Sequence, residues 1–233
     1  MKILSFDCHI PGWCSFRIPH SINTHLTYPA PPPTTVYGMI ANALGLWQDD
    51  YSLMAQMKTG IRILKPGSLV ETYSHWMKWN PPKNSMTTTI MKQKLIQPVY
   101  RIYVSAEESL LNQIYQALHQ PSRILYLGDS DDLVELSEMH LQTATKSESK
   151  QLNSVIPYEM VSGDSIINQV SVVRWPVQFD QNKRAFSIQY ELVYIAENIV
   201  LSDPVPCWRL SHTQDFILLG GMEESHVVSQ TSS

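Results

Sequence analysis

The sequence predicts an α+β fold, and three observations carry that reading. Up to about residue 140 the elements run strand, helix, strands, helix, strand, an order compatible with a ferredoxin-like sheet that carries its helices on one face. The extended runs between the helices alternate apolar with polar or β-branched residues, as strands do. Beyond Leu141 the apolar runs favour strands and no convincing amphipathic helix follows. The expected organisation is a first domain over 1–140, a smaller mainly β region over 141–221, and a polar, frayed tail over 222–233.

Residues 2–10 place Ile3, Leu4, Phe6 and Cys8 in a first strand that runs into a turn at Gly12 and on to Arg17. In the stretch TYPAPPPTTVYGMIANALGL, Pro29 and Pro31 to Pro33 hold the backbone extended and block helix at the residues before them. Thr34 or Thr35 is then expected to cap a helix, in which Val36, Met39, Ile40, Ala43 and Leu44 repeat at helical spacing while Gly38 and Ala41 allow another backbone to approach. Tyr51 to Lys58 adds another turn or two. Gly60 to Leu64 and Ser68 to Met77 read as extended, separated by the Pro66-Gly67 turn. Asn80-Pro-Pro-Lys-Asn84 reads as a loop, and strands are expected over Thr87 to Ile90 and Gln97 to Ser105. Glu107 to His119 has acids in its first turn, an apolar stripe through Leu110, Leu111, Ile114, Tyr115 and Leu118, and Pro121 beyond its end, which together predict a helix. A strand over Ile124 to Leu127 ends at Gly128-Asp129. Thr143 to Asn153 is polar and reads as an exposed loop, followed by strands within 166–174, 185–196 and 216–219.

Composition bounds the function. Hydrophobic residues make up 43% of the 233, enough for a real core. No apolar run approaches the roughly 20 residues of a membrane helix, and the first residues lack a signal peptide's apolar segment, so a soluble cytoplasmic protein is expected. The three cysteines, Cys8, Cys14 and Cys207, form no Cys-x-x-Cys pair, so reduced thiols are expected rather than a disulfide framework or a zinc knuckle. The net charge of -4 argues at first sight against a nucleic-acid partner. Its distribution answers that objection: eight cations and one acid lie between Gln56 and Ser105, whereas eight acids and two lysines lie between Asp129 and Asp164. One face is thus suited to an anion and another to protein or solvent.

The order strand, Gly12 turn, Phe16-Arg17, Thr27-Tyr28-Pro29, Pro32-Pro33-Thr34-Thr35, then a glycine-containing helix ending in Leu44-Gly45, resembles the Cas-five family of CRISPR-associated RAMP proteins, subunits of the type I Cascade complex. The resemblance spans residues 1–46 and returns at Tyr126-Leu127-Gly128. It makes the ferredoxin-like scaffold of RNA-recognition domains the leading fold, which the element order alone specifies only loosely. It implies a non-catalytic, single-copy RNA-binding subunit that caps the 5′ handle of the CRISPR RNA, joins the large subunit to the backbone subunits, and meets target DNA through the guide.

Candidate contacts follow. Tyr73 to Lys94 interleaves aromatic residues with cations, the combination that stacks unpaired bases and neutralises phosphates. Within it, Trp76, Lys78, Trp79, Lys83, Lys92 and Lys94 are candidate RNA contacts on a projecting hairpin over about 73–97, the family's thumb; the alternative for the two tryptophans is a core edge. Arg17 and His20 are candidate phosphate ligands, with an ion pair to Asp7 the alternative for Arg17. Thr34 and Thr35 offer hydroxyls and free amides to an anion or simply cap the helix. Tyr37 stacks on a base or packs.

One family subtype cleaves precursor RNA with a tyrosine and an adjacent lysine and histidine; this chain contains no Lys-His dipeptide, which argues for no enzymatic activity. The competing reading is a metal-independent endoribonuclease using Tyr37 or His20 for proton transfer. No cofactor or metal is expected. The His20 and His25 pair has no third ligand at suitable spacing, and Gly128 to Asp132, GDSDD, lacks the later glycine and glutamate of an EF-hand. Walker, nucleophile-elbow and dinucleotide motifs are missing from the sequence.

Overall fold

The computed structural model describes residues 1–19, 21, 24–47, 50–80, 83–179 and 188–219, with backbone alone at 76–80 and 83–87. In chain order these form β1 (Lys2–His9), β2 (Trp13–Cys14), β3 (Thr24–His25), α1 (Pro33–Ala43), β4 (Met57–Lys65), β5 (Ser68–Asn80), β6 (Lys83–Ile96), β7 (Val99–Ala106), α2 (Glu108–His119), β8 (Glu135–Leu152), β9 (Ile156–Pro157), β10 (Ser171–Phe179), β11 (Ile188–Ile195), β12 (Ile199–Leu210) and β13 (Phe216–Ile217). Strands outnumber the two α-helices by far among these residues, so the chain is mostly β.

The main sheet has six strands in the order β13-β12-β8-β1-β7-β4, every neighbouring pair antiparallel. The connection from β1 to β4 carries α1 and that from β7 to β8 carries α2; the helices touch each other, and α2 also packs on β1, β7 and β8. Leu4, Phe6 and Cys8 of β1 meet Val36, Ile40, Leu111 and Ile114 of the helices in the largest apolar cluster. The opposite face of β1 is covered too, where Ile3 packs with Tyr103, Ala144, Leu210 and Ile217. A three-stranded sheet, β10-β11-β9, closes over α1.

The proline stretch acts as expected at its start. Pro32 sits extended at φ -61 and ψ 155, and Pro33 occupies the first turn of α1, where its missing N–H is no loss. The capping expectation is corrected: Pro32 is the N-cap, no side chain caps the helix, and Thr34 and Thr35 lie within its first turn. Gly45, at φ +73, ends α1 in a Schellman arrangement, its N–H reaching Asn42 O at 3.2 Å while Leu46 N–H reaches Ala41 O at 3.0 Å. A Cβ on Gly38 would meet nothing within 4 Å, so no other backbone among the described residues exploits that glycine.

Two other expectations change. Residues 143–152 are not a loop but the second half of β8; this half pairs with β12, and the first half pairs with β1. Its polar residues misled because so many of its side chains meet solvent while the ladder satisfies its backbone. Ile124 to Leu127 is not a regular strand; it keeps a single bridge, Tyr126 to Leu133.

A buried polar network locks the C-terminal turn to the sheet. Arg101 binds Asp7 through both Nε and Nη2 at 2.6 and 2.8 Å, and its Nη1 lies 3.4 Å from Asp215. Asp215 also accepts from Tyr103 Oη at 2.6 Å and from Arg62. Burial and then the neighbouring Asp215 hold the Tyr103 phenol well above its usual range, so it stays a donor. Removing one partner strands the other charges. Asp215→Ala is therefore expected to cost about 3 to 5 kcal/mol, read as a lower urea midpoint with an unchanged slope; a loss below 1 kcal/mol would show the network to be dispensable.

Candidate nucleic-acid interface

Strand pairing gathers the cations that the sequence scatters. β5 and β6 form a long antiparallel hairpin, registered from Ser68 opposite Ile96 to Asn80 opposite Lys83. At its foot β3 pairs parallel to β6, which sets His25 opposite Lys92, and a bridge between Arg17 and Thr27 brings Arg17 beside them. Arg17 is exposed, whereas His25 is buried. Burial, then Arg17 and Lys92, push the His25 imidazole below its usual range, against a smaller opposing pull from Asp129.

Beneath this cluster the lysines are neutralised by the 128–132 loop. Lys92 pairs with Asp129. Lys94, 4% exposed, donates to Asp132 Oδ1 at 2.8 Å, and Asp132 has no exposed surface. The second Asp132 oxygen accepts the N–H groups of Ser15 and Asp129, each at 2.9 Å. Gly128 turns the loop at φ +123; a Cβ there would lie 2.8 Å from Asp132 Oδ2 and 2.9 Å from Ser15 O, so only glycine fits. Asp129, Asp131 and Asp132 thus resemble a cation loop because they hold two cations, the ammonium groups of Lys92 and Lys94.

The candidate residues separate into groups. Arg17 is exposed, and the Asp7 alternative is closed because Asp7 is held by Arg101. Lys92 is brought to the same side of His25 as part of that cluster, and both Lys92 and Lys94 are held in ion pairs. Trp76, Lys78, Trp79 and Lys83 lie on the hairpin backbone, with their side chains outside the described set, and His20 lies outside the described residues. Thr34 is buried and Thr35 half-buried, 17 and 18 positions along from Arg17. Tyr37 is 6% exposed and donates to Met57 O at 3.4 Å beside a cavity of about 470 Å³ lined by Thr59, Trp175 and Glu191. Its phenol is raised, chiefly by burial. That position suits packing rather than base stacking.

Two contributors escape the sequence. His25 joins Arg17 only through the β3 to β6 pairing, and Trp13, 47% exposed, lies over Lys94 at 5.2 Å from ring centroid to Nζ. Such a contact leaves one ring face available for stacking. The tryptophan directly after the Gly12 turn was the one legible signal for it.

The family model for CRISPR-associated protein (Cas_Cas5) matches residues 13–192. The chain belongs to the Cas5 family. No curated protein matches it in sequence. Among solved structures, a CRISPR protein from Archaeoglobus fulgidus aligns with a TM-score of 0.60 at 11% identity, covering 94% of this Cas5 chain and 99% of that one. A chain of a CRISPR RNA-guided surveillance complex aligns at 0.54 and 15% identity, covering 85% and 91%. A chain of the type III-B Cmr-beta complex bound to cognate target RNA and AMPPnP aligns at 0.54 and 10%, covering 84% and 86%. At these identities the likeness is one of fold, and it assigns this Cas5 protein the curled sheet of its neighbours.

Two outcomes test the site's electrostatics. Asp132→Ala leaves Lys94 buried without its partner and is expected to lose about 3 to 5 kcal/mol of stability, whereas Asp131→Ala, whose side chain is 72% exposed, should lose less than about 0.5; equal losses in urea titrations would refute the assignment. For His25 the lowered value means that below about pH 6.5 the unfolded chain binds a proton that the folded one resists. Stability from this group is then lost as pH falls through that value towards the folded one. His25→Gln should flatten the difference in urea midpoint between pH 7.5 and 5.5, and an unchanged difference would remove His25 from the pH response.

Proposed function

We propose that this Cas5 chain is a non-catalytic CRISPR RNA-binding subunit of a type I Cascade complex. In this reading it caps the 5′ handle of the guide, one copy per complex, and joins the large subunit to the backbone subunits, while target DNA is read by base pairing to the guide. The observation that carries the proposal is the meeting of exposed Arg17 with buried His25 and the half-buried, Asp129-paired Lys92 at the foot of a long hairpin in a member of this family. A guanidinium beside a second cation suits a phosphate, and Trp13 and Tyr73, the latter 71% exposed, offer faces for unpaired bases.

Finer structural readings belong to the same proposal. The order β8-β1-β7-β4, with helices in the β1-to-β4 and β7-to-β8 connections, supports a ferredoxin-like RAMP domain. The β5 and β6 hairpin is read as the thumb, which displaces a guide base and interrupts the guide-target duplex. The absence of catalysis is likewise a proposal. Burial of Tyr37 and its raised phenol speak against that residue as the proton-transfer group of an endoribonuclease.

The test is co-expression with the neighbouring complex subunits and a repeat-spacer array, ultraviolet crosslinking, and sequencing of the attached RNA. Crosslinks are expected in the 5′ repeat-derived handle, through peptides spanning 13–37 or 73–94; crosslinks scattered along the spacer would overturn the capping role. Arg17→Glu combined with Lys83→Glu should lower RNA retention about ten-fold or more, the effect of losing and reversing two phosphate contacts, with little change in melting temperature. Cleavage of repeat RNA by the purified chain in chelator would instead establish the endoribonuclease.

A further inference from the structure

Outside the hairpin, β8 carries a bulge where it pairs with β1. Ser5 pairs with His140 and Asp7 with Ser137, so Glu138 and Met139 together oppose Phe6. Glu138 takes the left-handed backbone at φ +49, an uncommon conformation for a residue with a Cβ. Its carboxylate reaches back to His140, with Oε2 3.3 Å from Nε2. The turn between β12 and β13 sets His212 over the same spot, the two imidazole centroids 3.9 Å apart and tilted by 42°.

The turn is held there independently of the histidine side chains. Gln142, buried in β8, accepts the N–H groups of His212 at 2.9 Å and Thr213 at 3.2 Å while donating to Ser5 Oγ at 2.6 Å. Asp215, at the end of the turn, is fixed by the arginine network described above. One nitrogen from each histidine and one Glu138 oxygen consequently lie within 4.8 Å of one another. Tetrahedral zinc with bonds of about 2.1 Å needs donor atoms roughly 3.4 Å apart, a difference that rotation of the exposed Glu138 and His212 side chains covers. The aspartate cluster of the 128–132 loop has comparable spacing, but there the lysines already occupy the carboxylates.

We propose that Glu138, His140 and His212 form a binding site for a divalent transition-metal ion of the zinc type. Two neutral imidazoles and one carboxylate are a borderline-soft donor set that prefers such ions to magnesium or calcium. The solvent-facing fourth position is left to water or to a side chain of a partner subunit. Bound metal ties the β12 to β13 turn to the bulge of β8, two segments distant from each other in the chain.

Isothermal titration of Zn²⁺ into the full, tag-free chain tests this, with Co²⁺ absorbance reporting coordination. One equivalent is expected to bind with micromolar affinity and raise the melting temperature. His140→Ala and His212→Ala should each weaken binding at least about ten-fold, the loss that even indirect changes around a metal produce, and abolish the thermal shift. Asp131→Ala should bind as the parent chain does. His212 sits on an exposed turn, so its variant keeps the test valid if His140→Ala misfolds. Binding only in the millimolar range, or micromolar binding unaffected by His212→Ala, overturns the proposal.

Discussion

The ion pair between Lys94 and Asp132 is the constraint around which the candidate interface is built. An ammonium and a carboxylate withdrawn from water cost several kcal/mol each unless every donor and acceptor is answered. Here the answer recruits three segments: β6 through Lys94, the loop through Asp132 and Asp129, and the residue just after β2 through the Ser15 amide, with Gly128 of the loop supplying the clearance. The foot of the hairpin is therefore anchored in the body of the protein, and whatever its tip does is done from a fixed base. Because Lys92 is tethered to the same loop, the parallel pairing of β3 brings His25 and Arg17 to a place already defined.

This arrangement also explains the charge pattern. The cationic stretch and the acidic stretch meet at the 128–132 loop, where positive and negative charges cancel in pairs, so the segment charges overstate what solvent sees. Arg17, outside both stretches, is the exposed cation beside them. A -4 chain presents a local cationic site in this way without a broadly basic surface, which suits an interface confined to a few phosphates.

The second network, around Asp215, does for the sheet what Lys94 and Asp132 do for the hairpin. It lets β1 carry Ser5 and Asp7 on a buried face, since Gln142 and Arg101 meet them there. It also seats the β12 to β13 turn, so that the positions of His212 and of β13 depend on charges in β4 and β7. Both networks use side chains distant in sequence, and each satisfies polar groups that would otherwise oppose folding.

Local physics was legible in the sequence. Proline stiffness and helical spacing marked α1, the acidic first turn and apolar stripe marked α2, and Pro66-Gly67 marked the turn before the hairpin; the motif order from Phe16 to Gly45 identified the family. These signals act over a few residues and need no partner. Much of the candidate site was not legible, because its members are defined by pairing. Thr143 to Leu152 reads as a loop until β12 pairs along it; Lys94 reads as a candidate RNA contact until Asp132 is found to bury it in an ion pair; His25 has no role until β3 lies along β6. Sequence by itself determined the two helices through local spacing and the family through the order of its motifs, while it specified the order of the elements only loosely. Tertiary structure alone decided which charges are spent inside the protein and which face outward, because burial and ion pairing depend on residues that meet only when the chain is folded.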